Sequence, residues 1–453
     1  MEERITKDNP MGYGNILKLL ITMSLPAMFS MFIQSLYNIV DSYFVAKISE
    51  KALRATSMSY PVQIFIIAFG VGTGVGVNSY VARRLGANRQ EDANKGAMHG
   101  IILAILTWFI FLIFRFVFLS DFFDLFTQDI EVKAMGIQYL EVITFFSIFS
   151  LIQITIEKTI QGTGHMITPM MSQLVGAIIN IILDPILIFG LFGCPPMGIR
   201  GAAIATVIGQ AIGACIGISY IVSSKSRLKL KFKGFKFSLD IVKYIYQAGL
   251  PSILMQSIGA ILTTILNQII IQYSEMAVSV LGIYYKLESF IFMPVFGLGQ
   301  GVLPLIGYNY GAQKKERIKE TYKYGVIIAS IIMTIGMFIF QLFPRELLKI
   351  FAEDDEMIKM GIPALRIISL SYIPAAIGII NSIYFQALGI GKYSLLISAL
   401  RQCAIIVPVA YIMSIFSLEL VWTSYPIAEV IAIFISMYLY KRINKKYIDI
   451  LPD

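Results

Sequence analysis

Residues 70–86 read Gly-Val-Gly-Thr-Gly-Val-Gly-Val-Asn-Ser-Tyr-Val-Ala-Arg-Arg-Leu-Gly, and residues 295–311 read Val-Phe-Gly-Leu-Gly-Gln-Gly-Val-Leu-Pro-Leu-Ile-Gly-Tyr-Asn-Tyr-Gly. Shifted by 225 positions, Gly72, Gly74, Gly76 and Gly86 fall on Gly297, Gly299, Gly301 and Gly311. The same shift carries Pro26 to Pro251, Asp129 to Asp354, and Met135-Gly136-Ile137 to Met360-Gly361-Ile362. It also carries Gln161 and Gly164 to Gln386 and Gly389. Chance matches of glycine and proline would scatter over many offsets. One offset held without a gap marks a duplicated chain, and a duplicated helical bundle is an architecture of membrane transporters, whose similar halves can rock about a site between them.

Composition places both copies in a bilayer. Hydrophobic residues make up 57% and charged residues 14%, against roughly 25% charged in soluble domains. The mean hydropathy of +0.74 leaves more apolar surface than one soluble core can hide. Stretches of about 20 apolar residues span the hydrocarbon layer. Twelve are read, at roughly 16–46, 52–81, 97–119, 133–156, 169–192, 201–222, 241–272, 277–307, 322–343, 358–383, 394–416 and 420–440. The expected organisation is an N-terminal segment 1–15, an N-lobe 16–222 and a linker 223–240, then a C-lobe 241–440 and a tail 441–453. Met1–Asn15 carries no cleavable signal pattern, so the first apolar stretch is expected to remain as a helix.

Basic residues set the orientation. They gather at Arg83, Arg84, Arg89 and Lys95, in the linker from Lys225 to Lys236, at Lys314–Lys319, and at Lys441–Lys446. The alternate loops, such as Ser120–Glu131 and Ala352–Glu356, are neutral or acidic. Both termini are therefore expected in the cytoplasm, and six spans per copy make the copies parallel. The net charge of +9 follows from this topology and needs no nucleic-acid partner. The linker stretch Lys229–Phe237 alternates basic and apolar residues. It reads either as a tether or as a strip that meets anionic lipid.

No phosphate-binding glycine loop precedes a lysine, so uphill transport must draw on an ion gradient. Cys194, Cys215 and Cys403 lack metal-ligand spacing, and His99 and His165 read as surface residues. No enzyme is indicated. The chemistry must lie in polar groups within the apolar spans, where a carboxylate costs about 2.5–3.5 kcal/mol and faces the protein interior.

Asp41 stands in span 1 and Asp184 in span 5. Asn180 precedes Asp184 by four residues, on the same helix face, and Pro185 removes the amide that would bond the Ile181 carbonyl. At about 1.5 Å per residue, Asp41 lies roughly 10 Å and Asp184 roughly 12 Å from the outer ends of their helices. Tyr139 and Thr206 fall at roughly 8–9 Å. Two carboxylates, an amide, a phenol and a hydroxyl in one layer suit an alkali cation or a shared proton. Hydrogen-bonded glue between helices is the plainer alternative.

These features together resemble the multidrug and toxic compound extrusion (MATE) transporters. The likeness rests on Ser24-Leu25-Pro26 with Asp41-Ser42-Tyr43-Phe44, the glycine run 70–86, Gln161-Gly-Thr-Gly164 and Asn180-x-x-x-Asp184-Pro185. Gly198-x-x-Gly-Ala-Ala-x-Ala-Thr206 and Gly297–Gly311 complete it, so that it covers roughly residues 15–440. The resemblance implies an all-α polytopic protein of twelve spans, in two parallel six-helix bundles forming a V-shaped cleft. It also implies export of drugs or organic cations driven by inward H⁺ or Na⁺, without other cofactor. In the branch with an N-lobe cation site, the matching positions are Asp41, Asn180, Asp184 and Thr206, with Tyr139 nearby. Span 7 carries no acid, so a C-lobe site there is not expected.

The second copy contributes Lys286, Glu288, Arg366, Arg401 and Glu429. Glu288, Lys286 and Arg401, with Gln34 in span 1, are candidates for the substrate cleft, although Glu288 equally suits an ion pair with Lys286 or an arginine. Two close carboxylates in low dielectric do not both stay ionised easily, so their titrations are coupled. Discharging them is expected to let helix 1 bend near Pro26. The expected partners are cationic or amphipathic small molecules and the surrounding bilayer of the cell membrane, with the chain a monomer. The rival readings are a flippase for a lipid-linked substrate of the same superfamily and, more distantly, an intramembrane enzyme or receptor.

Overall fold

The computed structural model describes residues 9–230, 235–351 and 354–452. Among them the chain is helical between its turns. The long helices are α1 (Ile16–Ala46), α2 (Glu50–Gly86), α3 (Gln90–Val117), α4 (Ile130–Phe145), α5 (Ser147–Gln161), α6 (Ile167–Phe189) and α7 (Gly198–Val222). The second copy supplies α8 (Leu239–Ile270), α9 (Glu275–Gly311), α10 (Lys315–Leu342), α11 (Asp355–Ser369), α12 (Tyr372–Ala387), α13 (Lys392–Met413) and α14 (Leu418–Ile448). Ten of these are individually long and apolar enough to cross a membrane. The bent pairs α4–α5 (47°) and α11–α12 (49°) bring the number to twelve if each pair is one span.

The duplication persists in local detail. Ser49 and Ser274 cap α2 and α9 by accepting from the amides of Ala52 and Ala277. Asn88 and Gln313 both take a φ of 57° in the turns that follow those helices. Asp129 accepts from the amides of Glu131 and Val132, and Asp354 accepts from that of Glu356. The Val132 amide, helped by Glu131 and Lys51, holds the Asp129 carboxyl below its ordinary range. The matching aspartates read from sequence are therefore helix caps.

The helices overrun the apolar stretches where polar residues continue the turn. α3 begins at Gln90 rather than near 97, and α10 at Lys315 rather than near 322, because Glu91-Asp92 and Glu316 favour a helix N-terminus. Both bends were invisible to a hydropathy window, since Phe146 and Leu370 leave the stretches apolar. His99 is corrected: it is fully buried, with Nδ1 on the Lys95 carbonyl at 2.7 Å and Nε2 accepting from the Ser238 amide at 2.8 Å. Phe235 and Phe237 flank its ring at 4.9 and 5.2 Å. His165 is partly buried and stacks on Tyr220 at 4.5 Å. Residues 231–234 of the linker, 1–8 of the N-terminal segment and 352–353 of the acidic loop lie outside the described residues.

The chain forms two compact units. Unit 1 comprises Met1–Asn9 and Phe29–Ile253; unit 2 comprises Pro10–Met28 and Leu254–Asp453. The division falls inside α1 and α8, within about a turn after Pro26 and Pro251. The paired glycines explain how each unit holds its borrowed helix segment. In unit 1, a Cβ on Gly76 would lie 2.2 Å from the Ile245 carbonyl oxygen, and one on Gly249 would lie 2.4 Å from that of Gly72. In unit 2, a Cβ on Gly301 would meet Ser24 Oγ at 2.4 Å, and one on Gly297 would meet Met28 Cα at 2.6 Å. Gly74 and Gly299 face the other way, against Lys158 and Ile383. The i, i+2, i+4 spacing thus serves two helix contacts on opposite faces, each too close for a side chain.

Candidate cation site in unit 1

Every one of the five coupling candidates lies in unit 1. On α6, Asn180 and Asp184 point into the protein at 2% and 0% exposure, and Thr206 on α7 (6%) and Tyr139 on α4 (3%) are buried with them. Asn180 bridges α6 and α7. Oriented to satisfy both neighbours, its amide nitrogen donates to Asp184 Oδ2 at 3.1 Å, and its oxygen accepts from the Thr206 amide and hydroxyl at 3.0 and 3.3 Å. The Ala202 carbonyl, 3.1 Å from the Thr206 Oγ1, is the other acceptor open to that single hydroxyl hydrogen. Tyr139 reaches Gln63 Oε1 on α2 at 3.5 Å.

Asp41 on α1 completes the cluster. It is partly buried, its charge acts on Asp184, and its Oδ1 is enclosed without a hydrogen-bond donor. A buried carboxylate oxygen with no donor is costly unless a cation or proton meets it. Tyr37, four residues before Asp41 on the same face, stands beside Thr206 and lies in the field of both aspartates, as does Tyr139. The sequence reading missed Tyr37 and Gln63. The i, i+4 relation of Tyr37 to Asp41 was the available signal.

The cluster has no counterpart in the second copy. At the same offset, Asp41, Asn180, Asp184, Thr206 and Tyr139 become Leu266, Ile405, Val409, Ile431 and Ala364. Unit 2 carries a different set. Arg401, within a π-helical stretch Leu400–Ile406, pairs with Glu429 Oε1 at 2.9 Å. Glu288 stands beside Tyr284 with Arg401 and Glu429 near, and forms no ion pair of its own among the described residues. Lys286 is exposed, its ammonium 5.7 Å from the Phe351 ring centre. The pairing of Glu288 with Lys286 or an arginine is thus replaced by Arg401 with Glu429. Gln34 is exposed on α1. Pro185 lies within α6, which continues to Phe189.

The MatE family profile matches residues 26–186 and 251–412, once in each copy. The chain belongs to the MATE family. The multidrug export protein MepA of Staphylococcus haemolyticus is 27% identical over 449 residues, covering 98% of both chains. A solved structure described as the outward-facing conformation of a multidrug resistance MATE family transporter superposes with a TM-score of 0.91 at 26% identity. It covers 98% of this chain and 99% of its own. A transporter from Pyrococcus furiosus, whose description reports a reversed polarity of the binding pocket and suggests a different function, matches with the same score, identity and coverage. MATE proteins are multi-pass membrane transporters of drug-like small molecules, not enzymes, and this chain shares their helical fold over 98% of its length.

Proposed function

We propose that this MATE protein is a secondary antiporter. It exports drugs or organic cations from the cytoplasm as H⁺ or Na⁺ enters through Asp41, Asn180, Asp184 and Thr206. The observation that carries the reading is that Asp184, fully buried, and Asp41, partly buried, act on each other in one cluster of unit 1 whose positions become Val409 and Leu266 in the second copy. Intramembrane acids carry a cost that helix glue built from neutral groups would not. The basic residues in alternate loops support a cytoplasmic location for both termini. Discharging the aspartates removes their repulsion and lets α1 move relative to α6 and α7. That helix contains Pro26, whose missing amide weakens it close to where it passes from one unit to the other. A bend there links the charge state of unit 1 to the exposure of substrate. Membership as a monomer in the cell membrane belongs to the same reading. The flippase alternative would draw on Arg366, Arg401 and Lys286, and of these Arg401 is already paired with Glu429.

Purified protein in liposomes, with H⁺ and Na⁺ gradients imposed separately, tests this reading. Efflux of an ethidium-like cation is expected with at least one gradient and none with neither. Transport indifferent to both would end the antiporter reading. Asn180→Ala, which removes the bridge between Asp184 and Thr206, is expected to raise the driving-ion concentration for half-maximal efflux by about tenfold, the loss of about 1.4 kcal/mol.

A further inference from the structure

The linker borders a charged cavity that shares no residue with the cation site. Its described ends are fixed along α3. The Arg227 carbonyl accepts from Gln90 Nε2 at 2.6 Å, the Lys229 amide donates to Asn94 Oδ1 at 2.9 Å, and the Ser238 amide donates to His99 Nε2. Between the linker, the end of α2 and the first turns of α3 and α8 lies a cavity of about 560 Å³, wholly within unit 1. Arg84, Lys95, Lys229 and Lys236 line it together with Glu91, Asp92 and Asp240. Lys95 and Asp92 stand 3.7 Å apart and offset each other. Three bases and two acids remain, a formal charge of +1, and none of these five forms an ion pair among the described residues.

The arrangement favours an anion. Arg84 lies in the last turn of α2, its guanidinium 4.9 Å from the Tyr80 ring centre and 5.9 Å from that of Tyr244. Stacking on ring faces orients a guanidinium and leaves its N–H edge outward, as the fork that phosphate accepts in bidentate fashion. The side-chain N–H groups of Arg84 meet no acceptor among the described residues. The acids need no cation, because Glu91 and Asp240 stand in first turns, where a helix N-terminus favours negative charge. The place also suits a lipid. Phe237, Leu239 and Tyr244 are exposed at the entry to α8, and tyrosine with basic residues at the end of a span marks the headgroup layer. In unit 2 the chain before α1 closes the corresponding place. Lys236 and Arg84 become Met11 and Asn309 at the offset, Met11 is buried, and its carbonyl accepts from Asn309 Nδ2 and Arg317 Nη2, each at 3.0 Å. Docking the segment that precedes a first helix therefore requires no free bases.

We propose that this cavity binds the phosphodiester headgroup of one anionic phospholipid from the cytoplasmic leaflet. Arg84 takes the phosphate oxygens on its fork, and Lys229 and Lys236 supply the further positive charge. One phosphodiester anion neutralises the net +1. Glu91 and Asp240 remain as acceptors for the hydroxyls of a polyol headgroup such as glycerol. Bound there, the lipid ties the linker to α2 and to the start of α8. Only the cytoplasmic placement of the linker is shared with the antiporter reading, and no step of ion coupling is used.

The test uses the full chain, purified in detergent and freed of bound lipid, with equimolar dioleoyl phosphatidylglycerol and dioleoyl phosphatidylcholine. Native mass spectrometry counts the lipid retained. One phosphatidylglycerol is expected to be kept in about tenfold preference. The double variant Arg84→Gln, Lys236→Gln is expected to lower that preference to about twofold or less. The double variant Lys445→Gln, Lys446→Gln removes equal charge from the tail and is expected to stay within about twofold of the parent. No preference in the parent, or equal loss in both double variants, would overturn the proposal. Displacement of the lipid by millimolar glycerol 3-phosphate would overturn the lipid assignment, since the cavity would then take a soluble phosphate ester. If the Arg84 variant is not recovered folded, Lys236→Gln alone decides. Its side chain is exposed, a loss of about threefold is expected, and an unchanged preference overturns the proposal. Normal lipid retention without gradient-driven efflux would instead sink the antiporter reading and leave the lipid site standing.

Discussion

Asp184→Asn protein is expected to insert, fold and bind substrate, yet to show no more ion-driven efflux than liposomes without protein. Asparagine preserves the shape of the side chain and its contact with Asn180, but fixes the neutral state that the parent reaches only when its coupling ion is bound. The two ends of the cycle then share one charge, and the gradient has nothing to act on. Asp41→Asn is expected to do the same, because its enclosed Oδ1 has no donor of its own and its charge acts directly on Asp184. Thermal stability offers an independent readout. Removing one of two like charges in a buried cluster relieves repulsion and desolvation, so the melting temperature of either variant should match or exceed that of the parent. If the aspartates were glue, both variants would melt lower and transport would fall only in proportion to folded protein. Normal coupling in both variants would remove this site from the mechanism.

Residue types whose energetics are extreme in a membrane were the legible ones. A carboxylate in an apolar stretch is conspicuous, and so Asp41 and Asp184 were found with Asn180 one turn away. Glycine and proline repeating at one offset are conspicuous too, which made the duplicated fold readable, with the helix starts at 16 and 167 placed to within two residues. Groups at the margins were harder to see. Glu157 and Lys158 lay just beyond the apolar stretch assigned to span 4 and so drew no reading, although the helix carries them on to Gln161. His99 looked like part of a basic surface because its partners, Phe235, Phe237 and Ser238, are almost 140 residues distant in sequence. Tyr37 was hidden by being an ordinary aromatic in an apolar helix. The exchange of helix segments between units at Pro26 and Pro251 left no local sign except the glycines that accommodate it, whose partners cannot be named from one chain.

Those glycines carry the largest expected effect on folding. Gly249→Ala adds a single methyl, yet its Cβ would lie 2.4 Å from the Gly72 carbonyl oxygen, 3.1 Å from the Gly72 carbonyl carbon and 3.7 Å from Gly76 Cα. Each of these is backbone, so no rotamer change makes room and the first part of α8 must withdraw from α2. Overpacking in a rigid core costs about 1–3 kcal/mol, and a clash between two helix backbones belongs at the upper end. Gly259→Ala, ten residues along the same helix, is the matched control. Its nearest neighbour would be Gln402 Oε1 at 3.9 Å, an ordinary contact, and replacing a mid-helix glycine there should stabilise by about 0.5–1 kcal/mol. Thermal melts of the purified variants are therefore expected to move in opposite directions, Gly249→Ala down and Gly259→Ala slightly up. Should both rise together, Gly249 would be present for backbone freedom near Pro251, and close helix approach would not explain the repeated glycines, Gly72 and Gly76, that it packs against.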